Sequence, residues 1–415
     1  MLNNKINAEG QMLRIERLRQ GKELKEVVNG ICSVSTLSKI ERGKQKVDPD
    51  MLVKLYKELG INYENNEEFV DDMRYYIKQY FYETIYQFEP KSLKVLEHQD
   101  EKLNYSPLAL DWMIIKAMEY EDKDVLNILD QCVEFMSQEQ LGWYYLIDRY
   151  EDRDVILEKR KKAHRILQNS YSTLALMITY WNNGEYNQVN KLSKMAINFA
   201  LDEGNTWALS QVYLLLGGIY SAYNMEEAMI EEYQKAMNFL KNTNWTRELE
   251  IMYYNMGATY ISLGNYKKAR QYLEKADKDD FLAYHKWAVL EIKEGNMEAA
   301  YKWIHEMEKY VKGYKKNSQL EDWDKYKKPY YEEITELLEV TKLQAGGNPE
   351  KSKDYIPLLE SLMARFLKDG RYGFMNFHKN SLKEAYIKNR RYKDALKLEE
   401  LFSRIKTKHM IKIQK

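Results

Sequence analysis

The stretch YYNMGATYISLGNYKKARQYLEKA, residues 253–276, places small and large side chains at regular helical spacing. The residues that carry this spacing are Tyr253, Met256, Gly257, Tyr260, Gly264, Ala269, Leu273 and Ala276. Small residues let two helices approach closely, and large residues fill the space between them. Gly264 and Asn265 interrupt the pattern in its middle, as a turn does. The stretch therefore predicts two helices joined by a tight turn.

Similar units recur along the chain, each with an aromatic-rich segment, a short turn and an amphipathic segment. Their turns are Gly184-Glu185-Tyr186, Tyr223-Asn224-Met225, Gly295-Asn296-Met297 and Arg390-Arg391-Tyr392. The unit at 253–276 resembles the tetratricopeptide repeat, a helix pair of about 34 residues, and the other copies are more degenerate. Because such pairs stack into a continuous array, we predict an all-α protein with a tetratricopeptide-like α-solenoid over residues 91–415.

The composition supports a folded, helix-rich protein and excludes disordered and fibrous classes. Of the 415 residues, 44% are hydrophobic and 31% are charged, with only 6 Pro. No apolar run reaches the roughly 18–20 residues of a membrane span, and the first ten residues lack a signal-peptide pattern, so we expect a cytoplasmic protein. Cys32 and Cys132 have no partners at metal-ligand spacing and are expected to be buried packing residues.

Residues 1–63 predict a compact bundle of short helices. The pattern indicates helices from Gln11 to Gln20 and from Glu23 to Asn29, then a turn and a helix of about nine residues that begins after Ser33 and stops at Gly43. Ser33 is a suitable N-cap. Residues 1–60 carry twelve Lys and Arg against eight Asp and Glu, although the whole chain has no net charge. This basic surplus is a modest indication of nucleic-acid binding.

The helix after Ser33 has the side chains expected of a helix that enters the DNA major groove. Val34, Leu37 and Ile40 lie three residues apart and are expected to bury one face. Short polar side chains and one cation, of the kind that approach base edges, point elsewhere. They are Ser35, Thr36, Ser38 and Lys39. The same residues are also compatible with a merely solvated helix face.

The run GICSVSTLSKIERG, residues 30–43, resembles the Xre/Cro-type helix-turn-helix. More narrowly, it is similar to the peptide-sensing regulators grouped with PlcR and Rgg, the RRNPP group, and the similarity extends to Leu59-Gly60-Ile61. This resemblance implies that the first half of Val34–Arg42 reads bases. It also implies phosphate contacts around the second helix and after Gly43, and a structural ion pair between Glu41 and an arginine such as Arg17 or Arg19. The candidate DNA-binding residues are Ser33, Val34, Ser35, Thr36, Ser38, Lys39, Arg42, Lys44 and Lys46. The sequence departs from the family pattern at Leu24, where a phosphate-binding Gln is usual.

Residues 64–90 predict a linker helix. An acidic connector is followed by a helical pattern from about Glu67 to Phe88, which Pro90 interrupts.

In a repeat array, a ligand would contact the inner face of the first helix of each pair. The candidate residues on this face are Gln211, Leu214, Tyr254, Asn255, His285, Lys286, Asn380 and Glu384. An Asn amide offers both a donor and an acceptor, so it can bind the backbone of an extended peptide. The family resemblance implies this role for groove asparagines, which makes Asn255 and Asn380 the first candidates. Packing between helices is the alternative explanation for each of these residues.

The sequence contains no phosphate loop, nucleophile elbow or metal-ligand motif, so we expect no enzymatic activity, no cofactor and no metal. The leading hypothesis is a homodimeric transcriptional regulator that binds a double-stranded DNA operator and a short signalling peptide, as in quorum sensing. The alternative is a repeat-based protein–protein adaptor or a response-regulator-binding protein. A phage-encoded regulator of the same architecture also remains open.

Overall fold

The computed structural model describes residues 8–120, 122–148, 152–240, 245–277, 279–316 and 327–410. Within these ranges the regular secondary structure is entirely helical. The chain divides into two compact units, Met1–Leu176 and Met177–Lys415. The predicted all-α fold, with an N-terminal helix-turn-helix bundle followed by a helical repeat, is confirmed. None of the described helices is long and apolar enough to cross a membrane.

The N-terminal bundle consists of four short helices around one apolar core. They are α1 (Ala8–Arg19), α2 (Leu24–Val28), α3 (Val34–Glu41) and α4 (Pro49–Glu58). Ser33 caps α3, because its Oγ accepts a hydrogen bond from the backbone N–H of Thr36 at 3.0 Å. Leu13, Leu37 and Leu55 are fully buried between the helices. Capping and burial together define where α3 begins and which face it turns toward the core.

A buried ion pair joins α1 to α3. Arg17 Nε lies 2.6 Å from Glu41 Oε1, and Arg17 Nη2 donates to Glu41 Oε2 at 2.9 Å. Arg17 Nη1 also donates to the carbonyl oxygen of Lys22 at 2.6 Å. The pair predicted for Glu41 is thus present with Arg17, whereas Arg19 pairs with Glu16 on its own helix. This bidentate contact orients α3 relative to α1.

Two sequence-based predictions about burial are wrong in this bundle. Val34 is 44% exposed, whereas Leu37 and Ile40 are buried. Residues spaced by three drift around a helix of 3.6 residues per turn, so Val34 and Ile40 lie about 120° apart. Val34 therefore leaves the core face and joins the exposed surface of α3. Cys32 is half-buried in the turn before α3, and Cys132 alone is fully buried as predicted.

The remainder of the first unit packs directly against this bundle. Its helices are α5 (Glu67–Tyr86), α6 (Lys91–Glu97), α7 (Asp100–Asn104), α8 (Ala109–Tyr120), α9 (Lys123–Cys132), α10 (Gln138–Tyr144), α11 (Arg153–Leu167) and the start of α12 (Ser170–Asn182), with a 3-10 turn at Val133–Phe135. α5 buries Val70, Met73 and Ile77 in a core shared with α8 and α9. Cys132 Sγ lies 3.9 Å from Met12 Sδ, which places α9 against α1. The N-terminal bundle therefore packs on the helices that follow it.

The second unit contains the predicted helix pairs. After the end of α12, its helices are α13 (Tyr186–Glu203), α14 (Thr206–Ala222), α15 (Glu226–Leu240), α16 (Thr246–Ser262), α17 (Tyr266–Leu273), α18 (Phe281–Glu294), α19 (Met297–Lys316), α20 (Lys328–Ala345), α21 (Tyr355–Lys368), α22 (Tyr372–Lys388) and α23 (Tyr392–Met410), with a 3-10 turn at Pro349–Lys351. All five predicted turns separate consecutive helices. A Cβ added to Gly257 would lie 2.6 Å from Leu273, which explains the small residue there. α14, α16, α18 and α20 each pack against the next and form one layer.

The C-terminal helices return to this layer. α22 packs against both α14 and α16, and α23 packs against α13. The turn before α22 crosses the turn before α13 so closely that a Cβ on Gly370 would lie 2.6 Å from Gly184 Cα. Tyr186 Oη donates to the carbonyl oxygen of Gly370 at 3.3 Å. The inner face of the repeats is therefore covered by the chain's own α22.

Replacing Glu41 with Gln should loosen α3, because the Arg17 guanidinium would stay buried without a counter-charge. Removing one partner of a buried ion pair costs about 3–5 kcal/mol. We expect amides of α1 and α3 to exchange with deuterium at least a hundredfold faster. The control Lys25→Gln removes an exposed pair with Glu23 and should have little effect. Equal exchange in both variants would show that the buried pair does not hold α3.

Replacing Gly370 with Ala should detach α22 and α23 from the repeats. The substitution places a Cβ against the backbone of Gly184 at 2.6 Å and also strains a backbone φ of +68°. Gly347→Ala is a matched control, because its φ is +69° and nothing lies within 4 Å. Deuterium exchange across residues 372–405 should rise in Gly370→Ala only. A similar rise in both variants would attribute the effect to backbone strain alone.

Candidate functional site

The exposed face of α3 presents a group of polar and basic side chains. Ser33, Ser35, Lys39, Arg42, Lys44 and Lys46 are exposed, whereas Thr36 and Ser38 are half-buried. Within the described part of the chain, none of the four cations forms an ion pair. By contrast, Lys25 on α2 pairs with Glu23 at 2.7 Å. The positive charge of this surface is therefore concentrated on α3 and the loop after it.

Individual contacts limit what each of these side chains can do. Ser33 Oγ lies 2.8 Å from Thr36 Oγ1, so these two hydroxyls bond to each other while Ser33 caps the helix. Arg42 Nε donates to the carbonyl oxygen of Ser38 at 2.9 Å. Ser35 and Lys39 project from α3 without such contacts. Val34 offers an exposed apolar side chain, which is the kind that contacts a thymine methyl group. The arrangement fits a helix that enters the major groove with its first turns.

Leu24, the residue at which the sequence departs from the family pattern, has a structural role. Leu24 at the start of α2 is partly buried against the apolar core of the bundle. It therefore supplies packing at a position where the family pattern places a phosphate-binding Gln. The phosphate contacts predicted for this surface then rest on Arg42, Lys44 and Lys46.

The eight candidate ligand-binding residues differ in how far they are buried. Asn380 and Glu384 are exposed on α22, whereas His285 and Lys286 on α18 are buried at 0% and 2% exposure. Asn255 on α16 donates its Nδ2 hydrogen to Tyr233 Oη at 2.9 Å, so its amide links two helices of the repeat.

The other three candidates are partly buried on α14 and α16. Leu214 packs against the apolar cluster between α15 and α16. Gln211 Nε2 and Tyr254 Oη are buried without a hydrogen-bond partner among the described residues. The ligand-binding roles of all eight residues stay predictions.

His285 and Lys286 face residues of α22 that sequence patterns did not select. Lys286 Nζ lies 3.4 Å from the ring centroid of Phe377 and 5.3 Å from that of Phe374. The His285 ring stacks on the His378 ring with centroids 5.4 Å apart. We call His285, Lys286 and His378 the buried basic cluster. Phe374 and His378 lie four residues apart and so share one face of α22, but this spacing does not tell which helix that face meets.

Burial controls the protonation of this cluster. Desolvation lowers the pKa of Lys286 and of His285 well below their usual values, and nearby cations add to both effects. Desolvation likewise lowers the pKa of His378 to about 3, with a contribution from Lys286. The two histidines are therefore neutral at physiological pH.

A small cavity lies on another side of α22. It has a volume of about 300 Å³ and is lined by Ala222, Tyr223, Tyr372, Asn376, Lys379, Glu399, Phe402, Ser403 and Ile405. Lys379 Nζ lies 2.7 Å from Glu399 Oε2, so the charges at the cavity are balanced. The Tyr223 hydroxyl is buried without a partner in the described ranges. The volume is at the lower end of the range for small-molecule sites.

Acid should destabilise the second unit through His378. Its pKa is about 3 in the folded chain, whereas an unfolded histidine titrates near 6.5, so the unfolded state binds the extra proton between these values. Stability is therefore complete above about pH 6.5 and falls as the pH drops, by about 1.4 kcal/mol per pH unit.

Urea unfolding at pH 7.5 and pH 5.5 measures this effect. The difference in unfolding free energy between the two pH values should shrink by about 1.4 kcal/mol in His378→Leu. His305, whose side chain is 61% exposed, provides the control His305→Leu, which should keep the wild-type difference. An unchanged difference in His378→Leu would contradict the role of His378.

Comparison with known proteins supports the assignment of the N-terminal bundle. The helix-turn-helix family model matches residues 11–64, which include most of α1 and all of α2, α3 and α4. A comparison with curated protein sequences gave no match. Among solved structures, the chain is similar to the SHP pheromone receptor Rgg2 of Streptococcus dysgalactiae, with 15% identity over 72% of this chain and 99% of that chain and a TM-score of 0.19. A superposition this poor transfers no property to this chain. Residues 11–64 are a helix-turn-helix domain of the Xre type.

Proposed function

We propose that this chain is a transcriptional regulator that binds operator DNA through α3 and a short signalling peptide through its repeats. The DNA-binding part of this proposal rests on the basic residues around α3, which are exposed and form no ion pairs among the described residues. Lys39, Arg42, Lys44 and Lys46 can neutralise phosphates while Ser35 and Val34 reach base edges. Salt-dependent binding follows from such contacts, because each neutralised phosphate releases counterions.

We further propose that the regulator acts as a homodimer on a partly palindromic site. One recognition helix contacts few bases and phosphates, and two helices spaced by about one turn of DNA (~34 Å) double these contacts. The peptide would switch DNA binding only if it binds one conformation of the protein better than another. A ligand at these helices is supported by Gln211 Nε2, Tyr254 Oη and His285 Nε2, which are buried without hydrogen-bond partners among the described residues.

Replacing Ser35, Thr36 and Lys39 together with Ala should abolish specific DNA retention and leave folding intact. Each lost base contact is worth about 1–3 kcal/mol, so enrichment of the preferred sites should fall at least tenfold (~1.4 kcal/mol). The measurement is sequencing of genomic fragments that the purified full-length protein retains. Lys78→Ala, an exposed lysine on α5, is the control for loss of one positive charge.

The same experiment separates the regulator from the adaptor alternative. Fragments are retained with and without a peptide extract of spent culture medium. A palindromic site whose enrichment changes with the extract supports the peptide-responsive regulator. Equal, unspecific retention by the wild type and the triple variant would instead favour a repeat-based adaptor that uses its N-terminal bundle for docking.

A further inference from the structure

Lys286 is a buried lysine that has no counter-charge among the described residues. Its side chain is 2% exposed, and no carboxylate in the described part of the chain pairs with it. Its Nζ instead lies 3.4 Å from the ring centroid of Phe377, 5.3 Å from that of Phe374 and 3.4 Å from His285 Nδ1. Aromatic faces compensate only part of the hydration that a buried ammonium loses. The site therefore lacks the partner that such a group normally has.

The neighbouring cation shows what a satisfied site on this face looks like. Arg371, in the turn before α22, donates from Nη1 to Glu333 Oε2 at 2.6 Å. Its guanidinium also lies over the Phe374 ring, with 4.2 Å between Cζ and the centroid. Arg371 therefore combines an aromatic contact with a carboxylate, whereas Lys286 has the aromatic contacts alone.

The missing partner at Lys286 must accept hydrogen bonds. Lys286 Nζ and His285 Nδ1 lie 3.4 Å apart. A protonated Lys286 can only donate to Nδ1, which leaves the proton of the neutral imidazole on Nε2. His285 Nε2 is buried and has no partner among the described residues, and the same is true of His378 Nε2. A cation and an N–H donor thus stand on adjacent residues of α18 without an acceptor. A carboxylate, with two acceptor oxygens and a negative charge, satisfies both groups.

We propose that His285 and Lys286 form the binding site for the carboxylate of a short peptide, and that α22 covers this site with Phe377 when no ligand is bound. This inference rests on the proposed peptide-binding function and names the group of the peptide that is recognised. Because Lys286 is sealed, the ligand enters only when α22 withdraws, and the carboxylate then replaces the Phe377 ring as the partner of the ammonium group. The C-terminus and an acidic side chain are the two sources of such a carboxylate.

Three synthetic libraries of random octapeptides test the inference on the full-length protein. The first two omit Asp and Glu; one has free C-terminal acids as its only carboxylates, and the other has C-terminal amides and no carboxylate. A third library has amidated C-termini but includes Asp and Glu. Peptides retained by the protein are identified and counted by mass spectrometry.

The wild type should retain acid-terminated peptides at least tenfold (~1.4 kcal/mol) more strongly than the amides without Asp and Glu. Lys286→Met should lose this preference, and Lys286→Gln provides a second variant if the first fails to fold. Lys342→Met is the control, since Lys342 already pairs with Glu308 at 2.9 Å and Glu339 at 3.0 Å, and it should behave as the wild type. Retention from the third library alone would support the carboxylate site and show that the bound carboxylate is an acidic side chain of the peptide, not its C-terminus.

Several results would overturn the inference. These are equal retention of acids and amides, no retention from any library, or an unchanged preference in both Lys286 variants. Failure of this inference is distinguishable from failure of the proposed function. Enrichment of DNA that responds to culture extract, without a carboxylate preference, would leave the regulator intact and reject only the site at Lys286.

Discussion

The contact between the turns at Gly184 and Gly370 determines where α22 packs in the second unit. Only residues without a Cβ permit this approach, since a Cβ on Gly370 would meet the backbone of Gly184 at 2.6 Å. The crossing sets the start of α22 beside the repeats, and the helix then lies along α14 and α16. The burial of His285 and Lys286, and with it their protonation, depends on this placement of α22.

Arg17 in the first unit and Lys286 in the second are buried basic side chains with opposite surroundings. In the first unit, Arg17 and Glu41 neutralise each other through two short contacts, which fixes the relative orientation of two helices. In the second unit, Lys286 is buried against aromatic rings and a neutral histidine. A paired buried charge favours one arrangement, whereas an unpaired one weakens the arrangement that buries it. Arg17 and Glu41 therefore hold α1 and α3 in one relative orientation, whereas Lys286 has no such partner among the described residues.

Local signals made much of this architecture predictable from the sequence. Ser33 identified the start of α3, and the turns at Gly264 and Gly295 identified helix pairs, because caps and turns depend on neighbouring residues only. The three-residue spacing wrongly placed Val34 in the core, because residues three apart shift steadily around a helix of 3.6 residues per turn. The cover over His285 and Lys286 was not predictable either, because no periodicity states which distant helix a given face will meet. The unpaired state of Lys286 follows from that distant contact.

The position of α22 near the end of the chain has a consequence for synthesis on the ribosome. α14, α16 and α18 emerge well before Tyr372, so their inner face forms while its cover is still untranslated. During that interval the apolar sequence of α18 is solvent-accessible, and such segments aggregate unless a charge interrupts them. Lys286 stands in the middle of Phe281–Glu294 and is hydrated until α22 arrives. The burial of Lys286 therefore waits for the synthesis of α22.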